Sequence, residues 1–304
     1  MPTAKSQHKT FGQSPFIRMG MEVGQAPELR RDLIKRIEDH YECTVVTFFT
    51  SFTKQDVAIV DTDAEMLESL LSVEHKGGKL MLVLNSPGGQ ALAAERIVNV
   101  CRAYSKNQFE VIVPHMAKSA ATMICFGSAK IHMSKTAELG PVDPQVPYWA
   151  EGDKEDDPSW ISAEEYIRSY DKLMNFASSG KAKRLEPYIQ QLGRYDARYI
   201  ERLRSVQKLS EDISVRLLKS LMMKGKSSDK IRNNIDVFLT QKRTSSHGRM
   251  INYEDAGSCG LKIGLIDLGS DVWHSLWELY VRSNWSTRHN CGKVIETSTS
   301  AVSA

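Results

Sequence analysis

Three short stretches combine residue types that do chemistry with the backbone needed to place them. Asn85–Gly89 reads NSPGG. Two successive glycines after an apolar run let backbone amides approach a ligand closely, and amides at a following helix start can hold an oxyanion. An ordinary tight turn has the same composition. Lys118–Thr122 reads KSAAT, with Ser119 where a strand-like run gives way to a small-residue helix. A serine there serves as a nucleophile, with the helix start favouring negative charge beside it, or simply caps the helix. Glu138–Gln145 reads ELGPVDPQ. Asp143 between its two prolines is either a turn former or an acid in a rigid loop suited to orienting a histidine.

An activated serine needs a base within hydrogen-bond reach, and the base needs an orienting carboxylate. Of the eight histidines, two stand near the other candidates. His115 ends a strand-like run four residues before Ser119, and His247 lies in the polar loop SSHGRM. His8, His40, His75 and His289 read as surface residues, and His132 and His274 as packing or surface residues.

These residues need elements to position them. Helices are expected over 27–41, 64–74 and 91–104, where apolar residues recur at helical spacing, and over the small-residue run 119–127. Strands are expected over 43–51, rich in β-branched and aromatic residues, over the buried run 79–85, and over 109–115 and 129–134. This alternation predicts an α/β fold with a parallel sheet and right-handed crossovers, and places ligand sites at the carboxyl ends of the strands. NSPGG and KSAAT both fall at such ends.

The second half differs. Residues 162–239 read as nearly all helical, a helical arm or insertion within about 160–240. A short helix capped by Asn252 and a strand-like run follow over 247–267. Residues 1–25 read as a flexible arm and 26–282 as the folded domain. Residues 283–304, with eight Ser or Thr in 22, read as a disordered tail. The acidic stretch EGDKEDD (151–157) reads as a solvated loop, and the basic helical stretch 181–208 as a solvated face.

Composition bounds the function classes. The chain has 304 residues, 41% hydrophobic and 25% charged, which excludes wholly disordered and collagen-like proteins. A net charge of +3 gives no footprint for nucleic acid. The five cysteines (43, 101, 125, 259, 291) form no CxxC pair, and with His274 and His289 they match no zinc spacing. No metal or cofactor is expected, and a reducing cytoplasm is the simplest compartment. No apolar run reaches the ~20 residues of a membrane span, and the first twenty residues lack the apolar core of a signal peptide.

NSPGG, a helix, VPHMAKSAAT and ELGPVDPQ in this order resemble the serine dehydrogenase proteinase family of the Clp protease/crotonase-like superfamily. The resemblance runs roughly from Pro27 to Asp267. GSAKI (127–131) after the small-residue helix is also similar to the signal peptide peptidase A branch. The resemblance implies a Clp protease/crotonase-like spiral fold with ββα-type units and a serine-type endopeptidase acting on a peptide or protein substrate. It implies Ser119 as nucleophile, Asp143 as acid and His247 as base, with backbone amides of Gly88 or Gly89 and of Ala120 as oxyanion hole. It also implies a homo-oligomer. Related enzymes use a Ser–Lys dyad, so Lys172 on the helix after the acidic loop stands as an alternative base, beside His115. Two other functions remain open at this point. A crotonase-type acyl-CoA enzyme would use the same oxyanion hole for a thioester enolate. A non-catalytic oligomeric scaffold would keep the fold alone.

Overall fold

In the computed structural model, residues 27–54, 57–75, 77–148, 159–180, 184–240 and 250–304 are described. The expected arm 1–25, the acidic loop 151–157 and His247 lie outside them.

Five parallel strands form the centre: β1 (Thr44–Thr50), β2 (Leu80–Asn85), β3 (Phe109–Val113), β5 (Ile131–Met133) and β9 (Ile263–Leu265). Strands β10 (Lys293–Glu296) and β11 (Ala301–Ser303) add antiparallel to β1. The resulting seven-stranded sheet has the order β11-β10-β1-β2-β3-β5-β9. The expected parallel sheet is therefore mostly parallel, with an antiparallel edge.

The central strands are apolar on both faces because helices cover both. On one face Val46, Phe48, Leu82, Leu84, Val111 and Val113 pack against α2 (Asp61–Glu74), α3 (Ala91–Ser105), α4 (Ala120–Phe126) and α7 (Ala197–Ser220). On the other, Val45, Phe49, Met81, Val83 and Ile112 pack against α1 (Pro27–Tyr41) and α11 (Asp271–His289). Alternate residues of each strand thus feed two cores. The helical arm holds α5 (Ala163–Ser178), α6 (Glu186–Leu192), α7, α8 (Ser228–Asn234) and α9 (Asp236–Leu239). A small third core of Val146, Ala163, Ile167 and Leu203 joins it to the hairpin of β7 (Gln145–Tyr148) and β8 (Ser159–Ser162). Asn252 caps α10 (Tyr253–Ser258) as expected, accepting from the N–H groups of Glu254 and Asp255 at 2.9 Å each.

The expectation of a disordered tail over 283–304 is overturned, and the fold continues to the last residues described. Residues 283–289 complete α11, with Ser283, Ser286 and Thr287 buried in its packed face. Strand β10 pairs with β1 and carries two buried charges. Glu296 accepts two hydrogen bonds from Arg30 of α1, at 2.8 and 2.7 Å. Lys293 pairs with Asp63 of α2 at 2.8 Å. These polar residues are ordered by tertiary partners that composition does not reveal. The domain boundary expected at residue 282 does not exist.

A second, smaller ribbon sits at the carboxyl ends of the central strands. It consists of Ser86, β4 (Met116–Ala117), β6 (Glu138–Leu139) and Ile251. Ser86 N–H donates to Met116 O (3.1 Å), Lys118 N–H to Ser86 O (3.0 Å), and Leu139 and Ile251 exchange bonds of 2.9 and 3.1 Å. Adjacent segments in such a ribbon lie about 4.8 Å apart.

Candidate active site

This ribbon positions the candidate residues. The chain leaving Ser86 turns through Gly88 and Gly89, the chain leaving Ala117 reaches Ser119, and the chain leaving Leu139 reaches Asp143. The ordering follows from sequence: each segment comes off the end of a sheet strand and gains a new partner before its turn.

Ser119 stands immediately before α4 with φ +50° and ψ −121°. A non-glycine residue there is strained by about 1–3 kcal/mol and persists only when its surroundings fix it. A sharp strand-to-helix turn of this kind lifts a serine side chain out for attack. The fixing contacts are specific. Ser119 N–H donates to Pro141 O at 3.1 Å. Thr122 Oγ1 lies 2.8 Å from Ala117 O and 2.9 Å from Gly140 O, tying the two sides of the ribbon beneath the turn. Lys118 forms an ion pair with Glu138 across β4 and β6.

Gly88, with φ +110°, presses directly on the turn. A Cβ there would lie 2.7 Å from both Lys118 O and Ser119 Cβ, and 3.1 Å from Ala120 N. Only glycine allows this approach. Gly88 O accepts from Ile59 N–H and Ile59 O from Gln90 N–H, both at 2.8 Å. Gly88 N–H donates to Ser86 Oγ at 3.1 Å, and that oxygen also receives the Thr50 hydroxyl at 2.8 Å. The N–H of Gly89 lies outside these bonds. So does that of Ala120, since the helix begins with Ala121 N–H donating to Lys118 O. Gly89 is exposed and Ser119 half-buried, so a ligand can reach both. The arrangement can hold an anionic oxygen beside a serine hydroxyl.

Asp143 is 2% exposed and accepts from Gln145 Nε2 at 3.2 Å. It lines a cavity of about 140 Å³ with Ser210, Arg232, Asp236 and Thr240, among others. Val142 N–H donates to Phe238 O at 2.8 Å, so the end of the helical arm is pinned to the acid segment. His247 belongs to 241–249. Thr240, just before that segment, lines the cavity, and Ile251, two residues after it, is bonded to Leu139.

The other candidate bases stand elsewhere. The His115 ring stacks on Tyr280 of α11, 4.8 Å between centroids, and so faces the core opposite α4. Burial lowers its pKa, with Lys118 and Arg288 acting in the same sense and Glu138 opposing. Lys172 is exposed on α5. Sequence reasoning missed Ser86, Thr122 and the Lys118–Glu138 pair; the polar residues within each motif were the signal for them.

A mostly parallel sheet covered on both faces, with a strained serine at a strand end beside a glycine turn, is a ClpP-like architecture. Residues 16–152 match the family model of the ClpP-like SDH-type serine proteinases. The matched region includes Gly88, Gly89, Ser119, Ala120 and Asp143 and ends before His247. The chain is also similar to two uncharacterized proteins of Methanocaldococcus jannaschii. One is 32% identical over 125 residues, covering 38% of this chain and 43% of the relative. The other is 31% identical over 109 residues, covering 33% and 37%. The chain thus spans about two-fifths of the length of these relatives. Among the described residues no helix is long and apolar enough to cross a membrane.

Proposed function

We propose that this protein is a serine endopeptidase. Ser119 Oγ attacks the peptide carbonyl, His247 accepts its proton, and Asp143 orients the imidazole. The N–H groups of Gly89 and Ala120, framed by Gly88, receive the oxyanion. The tetrahedral adduct collapses to an acyl-enzyme as His247 returns the proton to the leaving amine, and water then hydrolyses the ester. The scheme needs no metal or cofactor. A peptide or protein substrate and a homo-oligomer are part of the same reading, carried by the resemblance.

The observation that carries the proposal is the ribbon Ser86–β4–β6–Ile251. It leads to the glycine turn, the strained serine and the buried aspartate, and its last member, Ile251, follows His247 by four residues in sequence. His247 is favoured over His115 because the His115 ring is committed to Tyr280 on the far face. It is favoured over Lys172 because that side chain stands in solvent.

Hydrolysis of an unfolded protein such as casein tests this reading. Ser119→Ala and His247→Ala should lower kcat by about 10⁶ and Asp143→Asn by about 10⁴, by analogy with other triads. His115→Ala and Lys172→Ala should stay within about threefold of wild type, far less than loss of a triad base. Retained hydrolysis in Ser119→Ala overturns the proposal. Turnover of acyl-CoA thioesters without peptide cleavage would favour the acyl-CoA alternative.

A further inference from the structure

We propose that Lys293, in strand β10, is a positioning residue for the oxyanion-binding glycine turn, acting through the backbone of Ala58–Val60. This rests on the peptidase reading of that turn. Lys293 is 6% exposed and Asp63 0%. Lysine is almost never this buried unless paired. Its ammonium has three donors. They meet Asp63 Oδ1 at 2.8 Å, Asp63 Oδ2 at 2.9 Å and Ala58 O at 3.0 Å. Asp63 Oδ2 also accepts Val60 N–H at 2.8 Å. The ion pair therefore grips the chain on both sides of Ile59.

Ile59 is the residue that holds the glycine turn. Its N–H donates to Gly88 O and its carbonyl accepts Gln90 N–H. A Cβ on Gly89 would fall 2.2 Å from Ile59 N and 2.4 Å from Ile59 O, so the two backbones touch with no side chain between them. A shift of Ile59 is passed to Gly88 and Gly89 undamped. Buried ion pairs add little net stability against an apolar replacement, and fixed geometry is the better-attested use. The same strand carries a built-in comparison. Glu296 anchors β10 through Arg30 of α1, and neither hydrogen bond reaches residues 58–60.

The experiment compares Lys293→Met with Glu296→Gln in the full chain. It reads kcat and KM for peptide hydrolysis, and amide hydrogen exchange at Ile59 and Gln90. Lys293→Met should lower kcat about 10- to 100-fold, the scale of a displaced oxyanion donor, with KM nearly unchanged. Exchange at Ile59 and Gln90 should accelerate by about tenfold or more. Glu296→Gln should lower the melting temperature while leaving kcat and both exchange rates within about twofold, since its pair does not reach the turn. Should Lys293→Met fail to fold, Lys293→Met with Asp63→Asn removes both charges and is read the same way. Equal effects of the Lys293 and Glu296 variants on kcat and exchange overturn the inference. If wild type hydrolyses no peptide, the peptidase reading fails by itself, and the exchange rates still decide whether Lys293 controls the turn.

Discussion

Gly88→Ala isolates the contact on which the placement of Ser119 depends. The new Cβ would start 2.7 Å from Ser119 Cβ and from Lys118 O. Carbon atoms rest about 3.5–4.0 Å apart, so one side must yield by about 1 Å. Both sides are backbone held by the ribbon, and misplacement by about 1 Å at a reacting group costs about 10²-fold in rate. A positive φ on alanine adds about 1–2 kcal/mol of strain. Gly225→Ala separates the two effects, because Gly225 has φ +90° and no neighbouring atom within 4 Å of the new methyl. The assay is the second-order rate of fluorophosphonate labelling, with thermal unfolding in parallel. Gly88→Ala should label about 100-fold more slowly. Gly225→Ala should lose about 1–2 kcal/mol and label at the wild-type rate. Labelling of Gly88→Ala within about threefold of wild type would refute the reasoning, since it predicts a loss of about 10².

Other outcomes follow from the same contacts. Thr122→Val deletes the hydroxyl between Ala117 O and Gly140 O, and urea unfolding should show a loss of about 1–3 kcal/mol. Ser119→Gly should abolish labelling yet stabilise the fold by about 1 kcal/mol, because glycine accepts φ +50° without strain. Glu110 is held down to about 2, chiefly by its hydrogen bond with His132 and further by Lys79, against desolvation. Because the folded value lies below the ordinary one, its stabilisation is complete above about pH 4.5 and is lost as pH falls towards about 2. Urea midpoints at pH 5 and pH 3 should therefore differ more in wild type than in Glu110→Gln.

Much of the framework was legible in the sequence because local pattern and tertiary role agree there. The helix over 27–41, the β-branched strands and the Asn252 cap each follow from spacing and residue type. The three motifs were legible as strand-end turns. What made them a site was not. The φ of Ser119 is set by Pro141 and Gly88, residues about 20 and 30 positions away in sequence. Likewise, Ser283, Ser286 and Thr287 look solvated by composition but face a packed core, and Lys293 and Glu296 look like surface charges until Asp63 and Arg30 reach them. Composition carries no information about partners 230 and 266 residues distant.

The central claim is that Ser119 is an activated nucleophile. Intact-mass analysis after fluorophosphonate treatment tests it most directly, comparing wild type with Ser119→Ala. The account predicts a single adduct per chain in wild type, located at Ser119, and none in Ser119→Ala. A folded wild-type protein that takes up no label, or an adduct that persists in Ser119→Ala, would contradict it.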